Sequence, residues 1–193
     1  MRSRALPALA LVLIAGCGSD QDPALPRTAP SHGPDARWRL PSLSPAVAAG
    51  RPVAGMRCTP AEPSRYGVHL ELFARRRVMI VSPGIGIAPP RERSGAYVRG
   101  GRCSYPLRTR EPTGVIEVAG GEERELGDLF ALWGRPLTRG RIASFRGPVE
   151  AYVGGRRWRG DPRRIPLRRH AQIVLEVQGH VPPHAAYRFP PGL

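Results

Sequence analysis

Histidine side chains provide the metal-binding chemistry that this sequence could support, because neutral imidazole nitrogens are ligands for copper and zinc. The chain contains five histidines. His180 and His184 flank a Val-Pro-Pro sequence, whose prolines exclude the helical turn that would bring the two rings together, so in an extended segment they lie about 10 Å or more apart. The sequence predicts at most a weak metal site, with histidines packed or hydrogen-bonded at the sheet margins as the alternative. The candidate ligands are His69, His170, His180 and His184.

Two arginines form a possible anion-binding pattern. Arg108 and Arg110 lie two residues apart in a segment that we expect to be extended, so their side chains share one face while Glu111 points away. Guanidinium groups placed in this way can hold a phosphate or a carboxylate through paired hydrogen bonds. We therefore consider a weak site for anionic lipids or envelope polymers here, with a solvated basic face as the alternative.

Sequence motifs for catalysis are absent from the chain. It contains no G-x-S-x-G or H-E-x-x-H sequence, and no cysteine and histidine accompanied by a third orienting group. Glu111 and Glu117 are more simply explained as ion-pair partners of neighbouring arginines. We predict that the protein is not an enzyme and needs no cofactor, with a hydrolase of envelope polymers as a distant alternative.

The first residues of the chain indicate its location. Arg2 and Arg4 precede an apolar run over residues 5–14, followed by Ala15, Gly16 and Cys17. A basic start, a short apolar run and small residues form a secretory signal peptide, and the run is about half the length needed to span a bilayer. With a cysteine directly after Ala15 and Gly16, this segment resembles a bacterial lipoprotein signal. That resemblance implies removal of residues 1–16 and acylation of Cys17, for example with palmitate, so that the mature protein is anchored in the cell membrane on its extracytoplasmic side or in the periplasm.

The remaining cysteines fit this location. With Cys17 acylated, Cys58 and Cys103 are left as an even pair in an oxidising compartment, where we predict a disulfide bond. Closing a loop of about 45 residues stabilises a fold by about 4 kcal/mol through the entropy of the unfolded chain. A reactive or metal-binding thiol pair is the alternative, but no C-x-x-C spacing supports it.

The charge of the chain is strongly positive, at +15, and all of its basic residues are arginines. The 23 glycines and 23 prolines, together with the absence of lysine and asparagine, indicate the codon usage of a GC-rich genome. The alternative is a functional attraction to polyanions, since so basic a surface binds phosphate-rich partners without specificity. Outside the cell, anionic lipid headgroups or phosphorylated polymers are more plausible partners than nucleic acid.

The rest of the chain divides into a tether and one domain. Prolines punctuate residues 17–54, which lack apolar periodicity and predict an extended tether behind the acylated cysteine. Residues 55–193 are long enough for a single domain with a modest core.

Apolar alternation and turn residues predict mainly strands within that domain. A helix is predicted where Leu126, Leu129, Phe130 and Trp133 share one face, with Gly134 as its stop. We expect a small β-rich α+β domain of antiparallel hairpins with this one short amphipathic helix, and a β-grasp-like sheet around it. Residues 82–101 are predicted to be mainly a loop, and the C-terminal tail an extended segment lying on the domain. The predicted strands are 68–73 with 78–81, 115–118, 149–153 with 156–159, and 171–177.

Most of residues 55–193 resemble an uncharacterised secreted domain of bacteria and archaea. The shared sequences include residues 55–58, 69–70, 83–87, 103–107, 113–116, 126–130, 133–134, 160–163, 165–167 and His170. Members of that family carry H-x-H-x-H-L and L-H-T-H-D-x-T-G-V-I-H patterns, whose imidazoles imply a copper or zinc site. Of those histidines, only His69 remains in this chain. The other five positions are occupied by Arg65, Gly67, Arg108, Arg110 and Glu117. The resemblance therefore implies that metal binding there has been lost.

Together these patterns predict a lipid-anchored protein of the cell envelope that acts as a binding or structural module. An extracytoplasmic protein that binds a transition metal through histidines is the main alternative. A weak binder of anionic polymers is another.

Overall fold

The structure is a computed structural model that describes residues 43–193. The predicted signal peptide, Cys17 and residues 18–42 of the predicted tether lie outside the described residues. Within the described range no helix is both long enough and apolar enough to cross a membrane.

The described residues form a β-rich α+β domain with antiparallel hairpins, which confirms the predicted fold class. Two α-helices, α1 (Pro45–Ala49) and α2 (Leu126–Trp133), and a 3-10 turn, Pro162–Arg164, accompany the strands. The strands are β1 (Arg65–Ala74), β2 (Arg77–Met79), β3 (Ile87–Ser94), β4 (Tyr97–Ser104), β5 (Leu107–Arg108), β6 (Val115–Ala119), β7 (Leu137–Thr138), β8 (Arg141–Ile142), β9 (Phe145–Arg146), β10 (Val149–Val153), β11 (Arg156–Trp158) and β12 (Gln172–Val177).

The main sheet has seven strands in the order β11-β10-β12-β1-β6-β5, with β2 pairing with the end of β1. Its first long strand and its last strand, β1 and β12, lie parallel at the centre, whereas the other pairs are antiparallel. A hairpin lies on each side of this central pair and α2 packs on one face, which is the β-grasp-like arrangement expected from the order of the elements. Two small sheets, β3-β4 and β7-β8-β9, complete the domain.

Helix α2 has the bounds that its apolar spacing predicts. Its apolar side chains are buried in the main core, which also contains apolar residues of β1, β6 and β12. The helix ends at Gly134, whose φ of 69° lies in the left-handed region where glycine avoids the cost of a Cβ atom. At its start, Glu125 and Asp128 form reciprocal capping hydrogen bonds.

The domain begins earlier than residue 55, so the predicted boundary between tether and domain is wrong. Ser44 caps α1 by accepting a hydrogen bond from the Val47 amide, and Val47 is fully buried in the core. Val53 then pairs with Met56, which is also fully buried. The prolines in this stretch led to the prediction of a tether. Proline is nevertheless favourable at the first position of a helix, which is where Pro45 lies in α1.

The prediction of a loop over residues 82–101 is also wrong, because β3 and β4 form a hairpin there. Most of their residues are exposed or half-buried, so the apolar alternation that identifies a strand is missing. The predicted disulfide is confirmed: Cys58 and Cys103 are bonded, with 5.4 Å between their Cα atoms. This bond ties β4 to the segment that precedes β1.

Candidate functional site on the polar face of the sheet

The two faces of the main sheet have opposite chemistry. Because side chains alternate along a strand, Val68, Leu70 and Leu72 of β1 point into the core beneath α2. The residues between them point to the other face, which we call the polar face. Its polar and ionisable side chains are Arg65, His69, Glu71, Arg108, Glu117, Glu150, Tyr152, Gln172 and Glu176.

Residues 178–193, the C-terminal segment, lie across the polar face. The Tyr187 ring stacks on His69 with 3.7 Å between ring centroids, and His170 Nε2 lies 2.7 Å from the Leu193 carbonyl oxygen. Phe189 lies over Gly67, where a Cβ atom would stand 2.5 Å from the phenyl ring. Glycine at position 67 therefore makes room for the segment, and the prediction of an extended tail on the domain is confirmed.

Arg108 and Arg110 are paired with carboxylates of the chain itself. Arg108 is 4% exposed, and its Nε donates to Glu117 Oε2 over 2.7 Å while Nη1 donates to Glu62 Oε2 over 2.6 Å. Arg110 Nε lies 3.1 Å from Glu117 Oε1 and its Nη2 3.5 Å from Glu62 Oε2. The predicted anion site at Arg108 and Arg110 is therefore corrected, and so is its alternative of a solvated basic face. Both guanidinium groups form ion pairs with Glu62 and Glu117 of the same chain.

A third arginine, Arg65, borders this cluster and donates to the carbonyl oxygens of Pro106 and Tyr105. Burial, with the nearby charge of Arg108, lowers the pKa of Arg65 to about 10. Burial opposes ionisation of Glu62, but the hydrogen bond and charge of Arg108 outweigh it and hold the pKa of Glu62 below its usual value. We call Arg65, Arg108, Arg110, Glu62 and Glu117 the ion-pair cluster.

Strand pairing brings most of the ion-pair cluster together on one face of the sheet. Arg108 is directly opposite Glu117 across β5 and β6, and β6 pairs on its other side with β1, which carries Arg65 and His69. Those positions are therefore neighbours on one face. Guanidinium groups have no lone pair to offer a cation. Glu62, which completes the cluster, was missed by sequence reasoning because it lies 46 residues from Arg108 and in no motif.

His69 is enclosed rather than available to a ligand. Its Nδ1 lies 2.7 Å from Gln172 Oε1 and its Nε2 lies 2.8 Å from the Thr113 carbonyl oxygen. Burial lowers the pKa of His69, although the contacts with Gln172 and Thr113 and the charge of Glu71 oppose that change. With both ring nitrogens engaged and the ring stacked on Tyr187, His69 is not a metal ligand in this fold.

The other predicted histidine ligands also lie on or beside the polar face, but with separate partners. His184 Nδ1 lies 2.8 Å from Glu71 Oε2, and His180 Nδ1 lies 2.8 Å from Glu176 Oε2. The predicted site made of His69, His170, His180 and His184 is therefore corrected. His69 and His184 both lie near Glu71, whereas His170 contacts the Leu193 carbonyl oxygen and His180 contacts Glu176.

His180 does meet two carboxylates that the sequence analysis did not select. Ligand atoms of His180, Glu150 and Glu176 all lie within 4.8 Å of one another. Glu176 is 1% exposed and lies directly opposite Glu150 in the register of β10 and β12. A glutamate inside the apolar sequence of β12 was the signal that could have drawn attention to this group.

Three groups of side chains therefore follow one another across the strands of the polar face. They are the ion-pair cluster, the enclosed His69, and the group formed by His180, Glu150 and Glu176. The last group is the one whose chemistry suits a metal ion. Among known protein families, curated proteins and solved structures, none matches this chain.

Proposed function

We propose that this protein is a lipid-anchored binding module of the cell envelope, held on the extracytoplasmic side of a membrane through an acylated Cys17. The observation that carries this proposal is the bond between Cys58 and Cys103. Disulfides persist in oxidising compartments, which agrees with the signal-like sequence that ends at Cys17. Two independent parts of the chain thus support the same location.

The polar face supports a binding role over a purely structural one. A sheet face that had only to be covered would carry apolar side chains, because buried charges are costly unless they are paired. Arg108 is compensated within the domain, but Glu176 is only 1% exposed and its carboxylate contacts His180 Nδ1 and the Val181 amide of the C-terminal segment. No catalytic activity forms part of the proposal.

Fractionation of cells that express the full chain tests the anchor. We expect the wild-type protein to remain with membranes after an alkaline wash and to carry an acyl group, and a Cys17→Ser variant to carry none. A Cys58→Ser/Cys103→Ser variant is the matched control, because it removes two thiols but should still be acylated. Wild-type protein recovered from the cytosol without an acyl group would contradict the proposal.

A second candidate function is transition-metal binding, which the meeting of His180, Glu150 and Glu176 favours. One imidazole nitrogen and two carboxylates are ligands that zinc and related divalent metals accept. Glu150 accepts hydrogen bonds from Arg157 and Tyr152, so a metal would have to displace these donors. Because His180 belongs to the C-terminal segment, such a metal would also tie this segment to the sheet.

Titration of the mature protein with Zn(II) or Cu(II) tests this second function. A site with one metal per chain would raise the melting temperature, since a ligand that binds only the folded state stabilises it. His180→Ala should abolish the shift, whereas His184→Ala should retain it, because His184 contacts Glu71 instead. A shift that survives in His180→Ala, or no shift in the wild type, would exclude the site.

A further inference from the structure

The turn between β1 and β2 carries a concentrated positive charge. Arg75 and Arg76 form the turn and Arg77 begins β2, and all three are exposed. Arg75 Nε donates to Gln178 Oε1 over 2.9 Å. Within residues 43–193, no carboxylate forms an ion pair with any of these three arginines. Their charge therefore faces solvent without an internal counter-ion, unlike that of Arg108 and Arg110.

The same hairpin exposes apolar side chains next to this charge. Val78 is 71% exposed and Ile80 is 48% exposed, and they are the large hydrophobic residues that the described part of the chain leaves in solvent. Met79 between them packs against the core. Val78 in β2 and Ile80, the residue directly after β2, thus form a small apolar edge close in the chain to the arginines.

The backbone of this turn is unfavourable for its residues. Arg75 and Arg76 have φ values of 54° and 61°, in the left-handed region where a Cβ atom is strained. A two-residue hairpin turn of this shape favours Asn-Gly or Gly-Gly. The β10–β11 hairpin of the same chain has that composition, with Gly154 and Gly155 at φ values of 56° and 72°. Arginines in a strained position that glycine would relieve point to a role for their side chains.

We propose that the β1–β2 hairpin is a membrane-contact element that rests on anionic lipid headgroups. The arginines are placed to bind lipid phosphates, and Val78 and Ile80 to enter the boundary between headgroups and acyl chains. A soluble polyanion would match the charge but would leave the apolar edge in water, so a lipid surface fits both features. The inference rests on the proposed lipid anchor. Residues 18–42 span at most about 90 Å, which keeps the domain near the bilayer and lets the hairpin reach it.

An environment-sensitive dye on the hairpin tests this contact. The acylated full-length protein, with Ile80→Cys as its free thiol, is labelled and reconstituted into vesicles of phosphatidylcholine alone or with phosphatidylglycerol added. We expect the dye emission to shift to shorter wavelength only on the anionic vesicles, and high salt to reverse the shift. Equal emission on both kinds of vesicle would overturn the inference.

A variant that changes the turn but preserves the hairpin separates charge from folding. Arg75→Asn/Arg76→Gly suits the turn better, so it should fold at least as stably as the wild type. It should nonetheless lower the ratio of docked to undocked hairpin about 25-fold, since each of the two arginines at an anionic surface contributes about fivefold. The control Arg156→Ser/Arg168→Ser removes the same charge at the opposite end of the sheet and should leave the emission shift in place.

Flotation of the same vesicles separates the two proposals. If the wild-type protein fails to float with the vesicles, the lipid anchor is wrong. If it floats but the dye shows no shift, or if the control variant loses the shift as fully as Arg75→Asn/Arg76→Gly does, the anchor stands and the hairpin contact is wrong.

Discussion

Arg108 and Glu117 face each other across β5 and β6, and Arg108 Nε donates to Glu117 Oε2 over 2.7 Å. Their side chains are 5% and 12% exposed. Because both charges are largely removed from water, each depends on the other and on Glu62 and Arg110 for its compensation. The surface that looked like an anion site in the sequence is thus a structural ion pair in the folded chain.

Loss of Arg108 should destabilise the domain strongly. We expect Arg108→Ala to lower the free energy of unfolding by about 3 kcal/mol, because it leaves Glu117 buried beside a cavity without its main partner. Urea unfolding under oxidising conditions measures this. The double variant Arg108→Ala/Glu117→Gln should recover part of the loss, whereas strictly additive effects would show that the two side chains are not coupled.

Relief of the strained β1–β2 turn should stabilise the protein. Arg75→Asn/Arg76→Gly should raise the free energy of unfolding by about 1 to 2 kcal/mol, since the new residues tolerate the left-handed region. The reciprocal change Gly154→Arg in the β10–β11 turn should lower it by about 1 kcal/mol for the same reason. Thermal and urea unfolding of both variants test this, and an unchanged stability in both would mean that neither turn is strained.

The buried histidine should make stability depend on pH. Burial lowers the pKa of His69 from its usual value of 6.5, so between the folded and unfolded pKa values the unfolded chain binds more protons. Stability is therefore fully present above pH 6.5 and falls as the pH drops toward the folded pKa. His69→Gln should flatten this part of the profile. The other groups that face the ring, Glu71, His184 and Tyr187, are present in both the wild type and the variant. If the stability of both proteins falls with the same slope as the pH drops, His69 is not the group responsible.

The disulfide should contribute a large share of the stability. Replacing Cys58 and Cys103 with serine should lower the free energy of unfolding by about 4 kcal/mol, because the reduced chain regains the entropy of a loop with a sequence separation of 45 residues. Unfolding with and without a reductant provides the measurement. The serine variant itself should be insensitive to the reductant, and a wild-type protein equally insensitive would show that the bond carries no stability.

Elements with strong local patterns could be predicted from the sequence. Helix α2 follows from the spacing of four apolar residues and the stop at Gly134, and the β10–β11 hairpin follows from its Gly-Gly turn. The hairpin of β3 and β4 was missed because its strands are mainly solvent-exposed and lack apolar alternation. Apolar alternation in the sequence indicates a strand with one buried face. It does not identify a strand that is paired but mainly exposed to solvent.

The polar face could be predicted only in part, since its contacts join distant parts of the chain. The sequence identified His180 as a candidate ligand but not Glu150 and Glu176, which reach it only through the pairing of β10 with β12. It identified Arg108 but not Glu62, whose position depends on the path of the chain before β1. Side-chain partners set by strand order are not visible in sequence spacing.

Intact mass spectrometry of the protein extracted from native membranes examines the lipid anchor and the disulfide in one measurement. We expect a chain that begins at Cys17, carries acyl groups on that residue, and has lost two hydrogens through the bond between Cys58 and Cys103. A chain that still begins at Met1, with no acyl mass and three free thiols, would contradict this expectation.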